Sequence, residues 1–442
     1  MYNPPFLRRI LPWLYVLVFV IAAPILLFYT AGYQYNLKKH MVEKSGTLII
    51  DGAPKNAAIF IDGTDTTQTL PYTFQHVTPG WHTVRVQKAG FTSWSKRLEI
   101  HVKQVTFAND IQLWPINRPK LASLATVLRL EANPAATRLG VLDRYHNQIR
   151  LGSWDPSGDS YQLTAVSSND ALLSVALPIR WNTAGNAFIL NGITNTAPTY
   201  WMTLDQTRMV DQLPTGWYAW SEPYLLTGSD DRSMVHLQIR SNRLTRETLS
   251  APYVFNDQDI SLQKTTSTPP ALLLTKNSLQ NRIYQLTNLN LRPVDRRQDI
   301  LILTDPTVHE WLGLDFSKSP PYAGDVYGDY PRWLQDTVTP NRHRALLIQG
   351  NELWLWEPGQ GTTLLWRQAE KLQQAAWDRD GTHVIVADAY HVFALELDDR
   401  DGRIVTPLAD FQTIRDLAIL QDTLYVSGTF EDKDGVFTLA LK

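Results

Sequence analysis

The sequence predicts a mainly β protein in three parts: an N-terminal transmembrane helix, a small β-sandwich and a β-propeller of about seven blades. Three observations carry this reading. No charge occurs between Arg9 and Lys38, and the intervening run is apolar. Residues 46–114 alternate polar and apolar side chains in short runs punctuated by turn residues, with no helical period. Residues 120–442 repeat a tryptophan–glycine turn followed by alternating strands, at a spacing of about 40–50 residues.

The totals bound the function. The chain has 442 residues, of which 44% are hydrophobic and 19% charged, too long for one ordinary domain. Lys plus Arg number 41 and Asp plus Glu 43, a formal charge of −2. That balance exerts no general pull on nucleic acid, and no arginine-rich tract exists, so no nucleic-acid partner is expected. There is no cysteine, which excludes disulfides, thiolate metal sites and cysteine nucleophiles. The 15 tryptophans suit strand cores, with exposed rings that stack on sugars as the alternative.

Residues 1–9 form a short tail ending in Arg8 and Arg9, and residues 10–37 the expected membrane anchor. A span needs about 20 mostly apolar residues, which Ile10 to Tyr29 supply. No polar face interrupts them, as a core helix of this length would show. Pro12 sits near the start, where proline is tolerated, and Pro24 inside predicts a kink. Trp13, Tyr29, Tyr33 and Tyr35 fall at interfacial positions. The run exceeds the 7–15 residues of about one signal-peptide core, so a retained single-pass anchor is expected rather than a cleaved leader. Arg8 and Arg9 oppose Lys38, Lys39 and Lys44, so charge does not fix orientation. A short tail before the anchor and all the folded mass after it predict an inside N-terminus and extracytoplasmic domains.

Within residues 46–114, Leu48 and Ile50 share one strand face, as do Ile59 and Ile61. Asp62-Gly63 makes a tight hairpin turn, and Pro79-Gly80 another. Val84 and Val86 alternate with Thr83, Arg85 and Gln87; Gly90 bends the chain. Leu98, Ile100 and Val102 form a further strand, and Ile111 and Leu113 the last. The order of these signals resembles the PEGA domain, on "APKNA" (Ala53 to Ala57), "IFIDG" (Ile59 to Gly63), "LPYTF" (Leu70 to Phe74) and "TPGWHTVRVQKAGF" (Thr78 to Phe91). The motif positions are Pro54, Ala57, Asp62, Gly63, Pro71, Pro79, Gly80, Gly90, Phe91 and Trp94. The motif glycine is Asn56 here, the other residue type that tolerates left-handed backbone. The family's usual glycine is also missing around Thr69. The resemblance implies an envelope protein of bacteria or archaea, with a non-catalytic spacer or binding module outside the membrane.

In the C-terminal part, Trp181 precedes Gly185 and the apolar Phe188-Ile189-Leu190, and Trp377 precedes Gly381 and Val384-Ile385-Val386. Weaker copies follow Trp220 and Trp333, and alternating strands start at Tyr200, Val235, Leu353 and Val392. The physical reading is a four-stranded unit that cannot bury both faces alone, stacked radially. About seven blades fit, with six or eight also compatible with the length. The repeat resembles those of TolB-like and WD40-like propellers. The last unit, from Arg415, shows three strands and stops, so Leu121 to Leu130 is expected to supply its outer strand and close the ring. Residues 305–330, rich in Pro, Gly, Asp and Tyr, read as an inserted loop and the place to look for a binding rim.

No catalytic residue, metal site or cofactor is assigned. Neither a Gly-x-Ser-x-Gly elbow, a His-Glu-x-x-His motif nor a phosphate-binding glycine loop occurs. The 10 histidines are scattered; His383 and His391 are expected on neighbouring strands without a nearby carboxylate pattern. Asp-x-Asp-Gly begins at Asp378, Asp399 and Asp432, and reads as turn chemistry rather than calcium binding. Asp305, His309, Glu310, Asp315 and Asp325 follow no catalytic template. The expected role is non-catalytic binding or scaffolding at the cell envelope through the propeller, with a protein or envelope polysaccharide as partner. A propeller-based hydrolase or lyase and a carbohydrate-binding protein are the alternatives.

Overall fold

A computed structural model of the chain describes residues 6–30, 33–36, 41–146, 148–158, 160–167, 179–190, 199–204, 211–213, 217–222, 225–229, 233–238, 243–248, 253–256, 260–264, 272–276, 282–286, 291–297, 300–305, 310–315, 322–327, 332–333, 344–357 and 360–442. Two compact units result: Met1–Ile116 with Asp398–Ile404 and Lys442, and Asn117–Leu397 with Val405–Leu441.

The first unit opens with a helix over Phe6–Thr30. It starts before residue 10 and ends before 37, because Tyr33–Asn36 turns back as a strand paired with Met41–Lys44. Pro24 lies within the helix without ending it. Among the described residues no helix is long and apolar enough to cross a membrane.

The sandwich follows. One sheet orders its strands as Thr64–Thr69, Ala58–Ile61, Gly80–Gln87 and Trp94–Ile100. The other places Gly46–Ala53 between Tyr72–Val77 and Val105–Gln112, pairing parallel with the latter. Strict alternation along Trp94–Ile100 buries every second residue, so Leu48, Ile50, Ile59, Val84, Val86, Leu98 and Ile100 form one core. One position breaks the pattern of residue type. Lys96 points inward, and its ammonium donates to the Asp398 carbonyl at 2.9 Å with the Asp398 carboxylate 3.5 Å away. Ile404 of the same short segment packs on the core.

The second unit contains, among the described residues, eight four-stranded antiparallel sheets, the upper end of the expected six to eight. Each runs in chain order, the order of a propeller blade, except the last. There Thr413–Leu420, Thr423–Phe430 and Lys433–Ala440 are completed by Lys120–Ser123, with Leu121 opposite Phe437. The closing strand is thus shorter than Leu121 to Leu130, because Thr126–Ala132 opens the first sheet instead. First strands of neighbouring sheets approach one another: Thr413–Leu420 lies between Thr126–Ala132 and Gln374–Trp377. The third and fifth sheets also meet, Trp217–Glu222 touching Arg292–Arg297, and Tyr253–Asn256 of the fourth packs against both Leu225–Ser229 of the third and Arg292–Arg297. The expected inserted loop is not one. Glu310–Asp315 and Tyr322–Tyr327 are strands of the fifth sheet. Their glycines and aspartates made them look like loop by composition.

Candidate binding site at the ends of the first strands

Three of the first strands end in one repeated clasp. Asn133, Asn182 and Asp378 each stand one residue beyond such a strand. The side-chain oxygen of Asn133 accepts the backbone N–H groups of Thr137 and Arg138 at 2.8 and 2.9 Å. Asn182 does the same for Asn186 and Ala187 (both 3.1 Å), and Asp378 for Thr382 and His383 (both 3.0 Å). In each clasp the residue three places on donates to the carbonyl of the first: Ala136 to Asn133, Gly185 to Asn182, Gly381 to Asp378. That third residue carries positive φ, 49° for Ala136, 70° for Gly185 and 66° for Gly381, which explains the glycine of the repeat.

The tryptophans of the repeat are pins between sheets. The indole N–H of Trp181 donates to the Glu131 carbonyl of the preceding sheet (3.0 Å), and that of Trp220 to the Arg180 carbonyl (3.1 Å). The glycine carbonyls are held from the preceding sheet too: Asn133 donates to Gly185 (3.1 Å) and Arg344 to Gly381 (2.8 Å). Arg344 also stacks on Trp377, 4.9 Å from the ring centroid. Trp154, Trp181, Trp201, Trp220, Trp356 and Trp377 are all buried, so these six serve cores rather than stacking platforms.

Between the ends of the seventh, eighth and first sheets lies a cavity of about 550 Å³. Ala132, Ala135, Ala136, Ala375 and Ala376 wall it, with Leu417, Ile419 and the edge of Trp377. Asp378, Arg379, Glu131 and Gln421 supply polarity. Asp378 is engaged in its clasp, and Arg379 faces Asp422 at 3.8 Å on the rim. Small side chains leave the space open, while the fixed backbone turns give it a constant shape. Such a concavity can seat an apolar side chain and anchor its flank at an ionic rim.

The other sequence-predicted positions are structural. Asn56 takes φ 62° and Asp62 52°, with Gly63, Gly80 and Gly90 also positive. Pro54 and Pro71 follow cis peptide bonds, and the Asn56 and Ala57 backbones bond to Leu70 beside them. The Asp62 carboxylate accepts from the Thr83 N–H (2.9 Å) and meets His82 Nδ1 at 2.7 Å. Partial burial pushes its pKa up, but those donors overcome this and hold it below the usual carboxylate range. Ala57 and Trp94 lie in the core; the Gly90 carbonyl accepts from Ile116, Phe91 bridges to Pro115, and Pro79 precedes the strand opened by Gly80.

His383 and His391, the histidine pair singled out in the sequence, both have carboxylates close by, contrary to the sequence reading. His383 Nδ1 lies 3.7 Å from Asp378, and His391 Nδ1 3.1 Å from Asp388. Asp388 also accepts the Tyr390 and His391 N–H groups at 2.7 Å each. The sequence spacing hid both pairs, because each aspartate precedes its histidine across a turn. The three Asp-x-Asp-Gly segments are turns: Gly381 and Gly402 donate back to Asp378 and Asp399, and Asp432 has φ 60°. Asp305 is buried at a strand end. His309 and the side chains of Glu310, Asp315 and Asp325 lie outside the described residues.

Residues 45–116, the sandwich, match the model of a known family. They are a PEGA domain. The structural neighbours of the chain are WD40 β-propellers. The structure titled Dos1 propeller shares 11% identity, covering 73% of this chain and 94% of that one at a TM-score of 0.45. The Cps50 (Swd1) β-propeller domain of Myceliophteria thermophila shares 9%, covering 72% and 97% at 0.38. A chain of the Mitotic Checkpoint Complex shares 10%, covering 74% and 93% at 0.40. No curated protein matches the chain.

Proposed function

We propose that the chain is a membrane-anchored envelope protein whose propeller is a non-catalytic binding or scaffolding module, with the PEGA domain as an extracytoplasmic spacer. The observation that carries the binding reading is the alanine-walled cavity, whose lining aspartate, Asp378, is held by backbone bonds. Shape is what that surface offers, and a protein segment with a protruding apolar side chain fits it. The anchor reading is supported by the N-terminal helix, on which Trp13, Leu17, Phe19, Ile21 and Leu27 are all exposed. Exposed apolar side chains are favourable in hydrocarbon and costly in water.

Two experiments test the parts separately. The chain has no cysteine, so Ala89→Cys gives one thiol on an exposed turn of the PEGA domain. Labelling by a membrane-impermeant maleimide in intact cells is expected; labelling only after lysis would reverse the orientation. For the propeller, Ala376→Trp should fill the cavity and abolish the proximity-labelled neighbours of the native protein while its melting temperature stays within a few degrees. An unchanged set of neighbours would remove the cavity from the function.

A further inference from the structure

The strand pairing after the helix fixes where one end of the PEGA domain must lie. Tyr33 pairs with Lys44, so the hairpin between them returns the chain to its own beginning. Strand spacing of about 4.8 Å and at most about 3.5 Å per residue from Thr30 to Tyr33 keep Ser45 within about 20 Å of the helix end. The carbonyl of Ser45 then accepts the N–H of Lys103, and that of Gln104 accepts the N–H of Thr47, 3.0 Å each. The turn His101–Gln104 is therefore the end of the sandwich next to the helix. Gly80 pairs with Ile100 and Trp81 with Glu99, which brings the Pro79-Gly80 turn to the same end.

This end is unusually apolar for a solvent-facing one. Val102 is 40% exposed, Val105 47% and Trp81 54%. Phe107 continues the face of Val105 two residues on and is also exposed. Lys103 sits at the turn with φ 57°, and Arg97 stacks on the Trp81 ring at 4.7 Å. Two acidic groups lie nearby: Glu99, 3.8 Å from His101, and Asp401, whose carboxylate accepts the Arg97 N–H at 2.8 Å. An exposed indole, two valines at a turn and neighbouring cations are the side chains that partition into a bilayer interface.

We infer that this end of the PEGA domain rests in the lipid headgroup layer, with Val102, Val105 and Trp81 dipping toward the acyl chains and Lys103 and Arg97 among anionic phosphates. The contact makes the domain a footing that holds its unit against the membrane rather than a loose tether. The inference rests on the anchor reading for its geometry, and the test separates the two.

The full chain, reconstituted in vesicles of phosphatidylcholine and phosphatidylglycerol, would carry a bimane label at one introduced cysteine: Val102→Cys, Val105→Cys, Leu17→Cys or Ala89→Cys. Brominated lipid is expected to quench the label at positions 102 and 105 at least twofold, at 17 more strongly, and at 89 not at all. Lys103→Glu should halve the quenching at position 102 in anionic vesicles and leave position 17 unchanged. Quenching at 17 without quenching at 102 and 105 overturns the footing and leaves the anchor standing. Quenching at 102 and 105 but not at 17 upholds the lipid contact and overturns the anchor. No quenching anywhere overturns both.

Discussion

The buried carboxylate of Asp416, on the first strand of the last sheet, accepts the backbone N–H of Leu130, on the first strand of the first sheet, at 2.9 Å. Its other oxygen accepts the Leu417 N–H at 2.8 Å. Val127, Leu130 and Leu139 pack with Ala418, Leu420 and Val436 around it. One side chain thus ties the two sheets at which the circle of blades is completed. Asp416→Ala leaves the Leu130 donor buried without that acceptor, a loss of about 2–4 kcal/mol. Asp416→Asn retains one acceptor and should recover part of it. Urea denaturation followed by tryptophan fluorescence measures both; equal midpoints for wild type and the alanine variant would show that the tie carries no stability.

The tryptophan of the repeat should divide into packing and hydrogen bonding. Trp181→Phe keeps an aromatic ring beside Phe188, now 4.7 Å away, but removes the donor to Glu131. A cost of about 1–2 kcal/mol is expected, against about 3–5 kcal/mol for Trp181→Ala. If both variants cost the same, the indole bond is irrelevant and packing alone sets the position.

That tryptophan and its glycine were legible in the sequence because both are distinctive residues at fixed spacing. The Asx residue after the strand was not, although it is the more general part of the clasp. "NPAATR", "NTAGNA" and "DRDGTH" at Asn133, Asn182 and Asp378 share the same bonds. The first copy has neither tryptophan nor glycine, and Ala136 adopts φ 49° where the others place glycine. The repeat spacing narrowed the blade count only to six to eight for a related reason. The fourth and fifth sheets lack the punctuation, and Tyr322–Tyr327 looks like loop by composition. The PEGA domain was read more fully because its turns need particular residues, as Asn56 at φ 62° shows. The cavity could not be seen in advance, since its alanines come from three sheets far apart in the chain.

Glycine also marks where sheets press together. A Cβ added at Gly313 would lie 2.4 Å from the Trp356 ring of the next sheet, and Trp356 is fully buried. Gly313→Ala should therefore destabilise by about 1–3 kcal/mol through overpacking. The compensating double variant Gly313→Ala with Trp356→Phe should recover part of that loss. A neutral single variant, read from thermal melting, would mean that the two sheets can separate freely at this point.

The closing strand gives a further test. A Cβ at Gly435 would stand 2.2 Å from the Ser123 carbonyl, where the register of the Lys120–Ser123 pairing shifts. Gly435→Val should push that strand off Lys433–Ala440 and expose an unpaired edge. Hydrogen exchange at Leu121 and Phe437 should then accelerate by more than tenfold, and the melting temperature should fall. Deletion of residues 121–130 should do worse, because it also removes most of the first strand of the first sheet. Unchanged exchange in Gly435→Val would show that the outer strand contributes nothing to closure.

Asp388 makes a pH prediction with a definite sign. Burial pushes its pKa up, but the N–H donors of Tyr390 and His391 and the His391 ring outweigh that and hold it below the usual carboxylate range. The unfolded-state value is about 3.9. A carboxylate whose folded pKa is depressed contributes stability that is present above the unfolded pKa and lost as pH falls through the folded one. The contribution should be constant from pH 7 down to about 5 and decline below about 4. Asp388→Asn lacks the titration, so wild type and variant should differ most at neutral pH and converge in acid. His391→Ala should weaken the effect without removing it, since the two backbone donors remain. Guanidinium unfolding at pH 3, 4, 5 and 7 measures the difference. A gap that widens toward acid would mean that burial, not hydrogen bonding, governs the proton on Asp388.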